Sequence, residues 1–382
     1  MSPAPSARPD ADAAPTPALS WLRRLRPQRP SRTPAAFTGH PARAPQHGLL
    51  GVPDPASGRA TRMAVWDYAP VPAVTTGGTA TMPDPSAGLP TLLFVHGFRG
   101  DHHGLQLLAE ALPEFRIRSL DLPGFGESPA YPDAEHTVAH HADTVLAVLD
   151  ALRAERPVGG VAVIAHSYGT IVAAHALVRD PRRARALALL NPIAAPALDA
   201  SGPLLDRAMG VAAQGYYEAA ARLPGRAANV LLRHPLITWA TTVFMSKTDD
   251  ARVLDYTHDQ HRRYFSQFSD PRMLAQSYRA STTASVADVA GQLSLPVLLV
   301  AGARDPLGSI DAQQALHARI AEVSPLARLV MVPDVGHLLH YEKSGEAAAA
   351  IRQFLAALPA SVAGPVPDAE PASDAEPKPP TA

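Results

Sequence analysis

No cysteine occurs anywhere in the 382 residues. That excludes a disulfide framework, a thiolate metal site and a cysteine nucleophile. Lysine is nearly as scarce, with Lys247, Lys343 and Lys378 the only ones among 34 basic residues. The 35 acidic residues bring the net charge to −1, so the basic excess of a general nucleic-acid binder is missing and no nucleic-acid partner is expected. No apolar run approaches the ~20 residues a spanning helix needs, so stable membrane insertion is not expected. Nor does a secretory pattern open the chain: Arg23 and Arg24 lead to Pro27, Arg29 and Pro30 instead of an apolar stretch. A cytoplasmic location is the default expectation.

Proline, by contrast, is abundant and uneven. Of 40 prolines, 12 fall in residues 1–60 and 6 in residues 361–382. Proline removes backbone donors, and these ends hold few large apolar residues to offset the entropy of ordering. Residues 1–60 and 359–382 are therefore expected to be mostly disordered tails. The first carries a local basic excess and the second an acidic one.

Between the tails, short apolar runs alternate with longer amphipathic stretches. Arg62–Tyr68, Thr91–Val95, Phe115–Leu120, Val161–Ala165, Ala184–Leu190, Pro296–Ala301 and Ala327–Val332 read as strands. Thr137–Ala154, Tyr168–Val178, Ala312–Val323 and Ser344–Ala357 read as helices. Several of the strand runs are continuously apolar, as strands covered on both faces are. The alternation predicts an α/β fold with a mostly parallel central sheet and helices on both faces. The rhythm stops between Pro192 and Val286, where no buried-strand run occurs and Tyr216, Tyr217, Trp239, Phe244, Tyr256 and Phe265 cluster. Residues 193–286 read as a helical insertion with breaks at Pro224, Pro235 and Pro271. Residues 61–192 and 287–358 form the core on this reading. Val71–Gly88 reads as turns or a hairpin loop.

The chemistry concentrates at strand ends. In Val161-Ala-Val-Ile-Ala-His-Ser-Tyr-Gly-Thr170 a buried strand runs into a small-residue turn and then a helix. Ser167 lies two residues from both Ala165 and Gly169, the spacing that a strained turn exposing a nucleophilic hydroxyl requires. Phe94-Val-His-Gly-Phe-Arg-Gly100 ends another strand, and its glycines allow a tight loop. The backbone N–H groups of Phe98 and Tyr168 are placed to receive a developing oxyanion, and His96 reads as a buried histidine bonded to backbone. Asp305 follows a core strand in Val297-Leu-Leu-Val-Ala-Gly-Ala-Arg-Asp-Pro306. His337 follows the next in Pro333-Asp-Val-Gly-His-Leu-Leu-His340, where His340 reads as structural. Arg99, His102 and His103 are candidates for contacting a substrate carboxylate, and His166, Trp239 and Phe244 for lining a substrate pocket. His136, His140 and His141 carry a spacing that can bind zinc but read better as a solvated helix face without a third ligand. No metal and no organic cofactor is expected.

In these motifs and their order the chain resembles the α/β-hydrolase superfamily over roughly residues 62–358. Asp121-Leu-Pro-Gly-Phe-Gly-Glu-Ser128 matches a further family turn. Two departures stand out: Ala165 replaces the usual glycine, and Asn191 occupies a position where some members carry the triad acid. The resemblance implies a serine hydrolase with a helical cap, in which Ser167 attacks a carbonyl carbon, His337 relays the proton and Asp305 orients the imidazole. It implies a small-molecule substrate, first a carboxylic ester. C–C bond hydrolysis of a β-diketone, amide hydrolysis, acyl transfer and a haloperoxidase-like side activity are alternatives on this fold. Dehalogenases and epoxide hydrolases use an aspartate nucleophile, which Ser167 argues against. A non-catalytic ligand-binding protein on the same scaffold is the alternative of another class.

Overall fold

The computed structural model describes residues 42–71, 88–155, 159–197 and 204–359. Residues 72–87 of the expected Val71–Gly88 loop and most of both expected tails lie outside the described residues. Eight strands form one sheet in the order β1-β2-β4-β3-β5-β6-β7-β8. They are β1 (Gln46–Pro53), β2 (Ala60–Tyr68), β3 (Thr91–Val95), β4 (Ile117–Leu120), β5 (Val161–His166), β6 (Ala186–Leu190), β7 (Val297–Gly302) and β8 (Arg328–Val332). The pairings β1–β2 and β2–β4 are antiparallel, and all others are parallel.

β1 corrects the expectation of a tail reaching residue 60. Gln46–Pro53 pairs with β2 along its whole length as an edge strand. Only its inward residues are covered, so it lacks the dense apolar run that marks a central strand. Upstream, the buried Arg43 guanidinium donates to the carbonyls of Ala69, Ala109, Leu112 and Phe115.

Alternation along β3 and β5 sends side chains into two separate cores. Leu93, Val95, Val163 and Ala165 pack with α2 (Val138–Ala154) and α3 (Tyr168–Leu177). Leu92, Phe94, Ala162 and Ile164 pack on the opposite face with α1 (Gln106–Ala111) and α11 (Ser344–Ala356). The remaining core elements are α9 (Ile310–Ala321) and α10 (Leu339–Glu342).

Among the described residues five α-helices lie between β6 and β7: α4 (Leu204–Ala221), α5 (Gly225–Leu232), α6 (Pro235–Met245), α7 (Ala251–Tyr264) and α8 (Pro271–Thr283). Pro235 and Pro271 occupy first-turn positions and Pro224 caps α5. Proline there loses no intrahelical hydrogen bond, so the three breaks become helix starts.

Candidate active site

Ser167 sits between β5 and α3 with φ +52° and ψ −123°. That conformation is strained for a residue bearing a Cβ and persists only where the surroundings fix it. Ser167 N–H donates to Leu190 O at 3.1 Å, and Ser167 O accepts from Thr170 N–H at 2.8 Å. A Cβ on Gly169 would stand 2.5 Å from both Val95 O and His96 O. The helix can therefore approach β3 this closely only with glycine there. Gly169→Ala is expected to cost about 3 kcal/mol through forced backbone displacement, measurable by urea unfolding. A loss below ~0.5 kcal/mol would show that the elbow relaxes freely.

Downstream the three expected side chains meet. Ser167 Oγ donates to His337 Nε2 at 2.8 Å, and His337 Nδ1–H donates to Asp305 Oδ2 at 2.9 Å. The Asp305 carboxylate also accepts from Leu307 N–H at 2.8 Å. His337 N–H donates to Met245 O at 3.1 Å, which ties the histidine loop to the end of α6. Gly336 permits that approach, since a Cβ there would lie 2.4 Å from Met245 O.

Phe98 and Tyr168 border the same cavity as Ser167. Tyr168 opens α3, so its N–H is one of the helix's orphan donors. His96 holds the facing loop, with Nδ1 bonded to Gly97 O at 2.8 Å and Nε2 accepting from Leu122 N–H at 2.9 Å. Burial lowers its pKa, in keeping with a neutral ring making both bonds.

The cavity measures about 850 Å³. Two groups of aromatic rings border it. Phe98, Tyr217 and Tyr278 contact one another at centroid distances of 4.5–5.6 Å. His166 lies 5.2 Å from His337 and 4.0 Å from His340, which continues to Tyr341. His166 donates from Nε2 to His337 O at 3.1 Å. Burial, with His337 adjacent, pushes its pKa down to about 3. Apart from Asp305, the only carboxylate bordering the cavity among the described residues is Asp101, and no lysine or arginine borders it.

Of the expected substrate contacts, His166 and Phe244 border the cavity, whereas Arg99 and Trp239 do not. Trp239 lies on the outer side of α6. Arg99 is buried at φ +61°, pointing into the helical insertion. Its guanidinium donates to Phe265 O at 3.0 Å and Leu232 O at 2.8 Å, and reaches Tyr217 Oη and Ser266 Oγ. Leu232 ends α5 and Phe265 caps α7, so the cation meets two helix C-termini, where the macrodipoles favour positive charge.

His102 and His103 are likewise engaged elsewhere. His102 Nδ1 bonds Asp121 Oδ1 at 3.1 Å and its ring stacks on Trp66. His103 Nδ1 bonds Asp101 Oδ1 at 3.2 Å. Asp101, His102 and His103 are the one group among the described residues with three metal-capable atoms mutually within 4.8 Å. Those internal bonds already commit the histidine donors. The solvated face expected for His136, His140 and His141 is also corrected. His136 and His141 are buried, and His141 Nδ1 shares a 2.7 Å hydrogen bond with Tyr168 Oη.

One positioning residue escaped the sequence reading. Asn191, at φ +45°, donates from Nδ2 to Gly336 O at 2.9 Å and accepts Gly302 N–H on Oδ1 at 2.7 Å. It thereby fastens the loop carrying His337 to the strand leading to Asp305. An asparagine directly after a continuous apolar strand run was the available signal.

A fold of this topology with a serine at such a turn defines a hydrolase architecture. A family model described as alpha/beta hydrolase fold matches residues 90–344, more than half of the chain, and the protein belongs to that family. It is 36% identical over 110 residues to a dihydrolipoyllysine-residue acetyltransferase component of an acetoin cleaving system from Cupriavidus necator, covering 28% of this chain and 27% of that one. It is also 36% identical over 115 residues to lipase LipV of Mycobacterium tuberculosis, covering 30% and 41%. The matched segments thus span less than half of these curated relatives. Among solved structures, an esterase from Thermogutta terrifontis superposes with TM-score 0.59 at 21% identity, covering 83% of this chain and all of that one. At that identity the likeness concerns the fold.

Proposed function

We propose that the protein is a serine hydrolase that cleaves carboxylic esters of small molecules through an acyl-enzyme. The observation that carries this is the continuous hydrogen-bonded chain from Ser167 Oγ through His337 to Asp305 Oδ2. Ser167 Oγ attacks the ester carbon while its proton passes to His337 Nε2. Phe98 N–H and Tyr168 N–H receive the oxyanion. The same Nε2 then protonates the departing alkoxide, and water activated by His337 releases the acid. Asp305 holds the imidazole tautomer and stabilises its cation. The helical insertion, residues 193–286, serves as the cap. The absence of lysine and arginine from the described cavity lining favours a neutral, largely apolar substrate over an anionic one.

The reading is tested by fluorophosphonate labelling followed by peptide mapping, alongside p-nitrophenyl esters of graded acyl length, a β-diketone and an amide. Label on Ser167 with fastest turnover of an ester is expected. A folded protein that never labels would make the chain a binding protein on this scaffold, and a label with β-diketone or amide preferred would reassign the scissile bond.

A further inference from the structure

Helix α6 is built inside out. Its fully buried side chains are Thr238 and Thr242, and Thr242 Oγ1 bonds His261 Nδ1 at 2.7 Å. Its outward arc is apolar: Leu236, 58% exposed, then Trp239, Ala240 and Val243, then Phe244, 43% exposed. A surface helix ordinarily shows the reverse pattern. The neighbouring α5 adds Leu231 and Val230, the latter 72% exposed, and Leu223 precedes it. Such apolar surface in one run of chain marks an interaction site.

Charge narrows the occupant. From Ala219 to Thr248 the chain carries Arg222, Arg226, Arg233 and Lys247 and no carboxylate; Arg233 is held on Phe268, Lys247 lies over Phe244 with Glu342 on its N–H, and Arg222 and Arg226 are the cations left to the face. Glu218, at the border, is held by Arg279 at 2.6 Å and Arg222 at 4.0 Å, while Asp249 and Asp250 lie beyond Lys247 at the start of α7. The face is also continuous with the cavity, because Ala240 and Phe244 belong to both. A protein seated there would cover the mouth. A second copy meeting this face symmetrically would set like cations together. A lipid surface does neither, and it supplies apolar chains at the opening. No helix among the described residues is long and apolar enough to cross a membrane, so contact would be peripheral.

We propose that the exposed apolar residues of α5 and α6 dock on an anionic lipid surface, from which an amphiphilic ester enters the cavity past Ala240 and Phe244. The substrate's fate rests on the ester-hydrolase reading; the docking does not. Full-length protein is mixed with vesicles of phosphatidylcholine alone or phosphatidylcholine with phosphatidylglycerol, and sedimented. Binding to the anionic vesicles at least about tenfold tighter, and weakened by salt, is expected. Val230→Glu/Leu236→Glu changes two residues that do not border the cavity. It should lower vesicle binding and hydrolysis of a vesicle-borne ester about tenfold or more, leaving a soluble short-chain ester unaffected. Arg222→Glu/Arg226→Glu should abolish the preference for anionic vesicles. Wild type that ignores both vesicle types, whether or not it self-associates, overturns the proposal. So does unchanged binding in the Val230/Leu236 variant, which keeps the basic N-terminal segment and would locate binding there. Vesicle binding without hydrolysis of any soluble ester would sink the ester reading and leave the docking standing.

Discussion

Ser167→Ala is expected to fold normally and to lose about 10⁶-fold in kcat on an ester. The size follows from what the hydroxyl does. Without Oγ no acyl-enzyme forms, and His337 has no proton to accept at the start of the reaction. On the proposed mechanism, what survives is rate enhancement from binding and from the Phe98 and Tyr168 amides, about 10³–10⁴ over water. The residues act as one unit, so Ser167→Ala/His337→Ala should be no worse than Ser167→Ala alone. A double variant a further hundredfold slower would mean that His337 works independently of Ser167. Asp305→Asn keeps the shape of the acid but can present a donor to Nδ1, favouring the wrong imidazole tautomer. A loss of about 10⁴-fold in kcat is expected. Stopped assays combined with mass spectrometry of the acylated protein would separate these cases. Retention of activity above a hundredth of wild type in Ser167→Ala would discard the serine mechanism.

The three residues that meet at this site were legible because each follows a strand at the same sheet edge, β5 and β7 being fully buried and β8 half-covered. A parallel sheet places all such strand ends together, so separation in sequence carries little information about separation in space. Ser167 and His337 are 170 residues apart yet 2.8 Å in contact. Arg99 was misread for the converse reason. Its place beside Phe98 suggested a reach into the cavity, but the positive φ turns the side chain away from its neighbour's direction. The two helix C-termini that receive it are set by tertiary packing and leave no mark near residue 99. Likewise β1 is an edge strand whose half-covered residues imitate a polar tail, and only its partner β2 orders it. His141 looked solvated because a histidine on a helix is polar, but its ring is buried against Tyr168. In each miss the deciding partner came from another element of the fold: α5 and α7 for Arg99, β2 for β1 and Tyr168 for His141.

The buried histidines set the pH range in which this molecule stays folded. Burial, with other imidazoles nearby, keeps four of them neutral far below the ordinary histidine range. His166 is pushed down to about 3 by burial and the adjacent His337, and His261 to about 3 by burial and the neighbouring His258. His141 and His340 lie well below their usual value by burial, reinforced by His136 and His166 respectively. In the unfolded chain these rings titrate near the ordinary histidine value of 6.5. Below that pH the unfolded state binds protons that the native state refuses, so stability is fully present above ~6.5 and falls as the solution is acidified. The loss continues down to the folded value, about 3 for His166 and His261. By pH 5.5 each ring that stays neutral contributes about 1 kcal/mol of destabilisation, so that four together cost several. Total stability of a domain is ~5–15 kcal/mol, so this is a large share of it. Burial also lowers His96 and His136, adding in the same direction. Thermal unfolding followed by circular dichroism should therefore show a transition temperature level from about pH 8 to 7 and falling steeply between 6.5 and 5. Calorimetry at pH 5.5 should register about four protons taken up per molecule unfolded. A transition temperature that holds level down to pH 5 would mean that these rings charge within the folded protein, and that the cavity wall is wet where His166 and His340 stack.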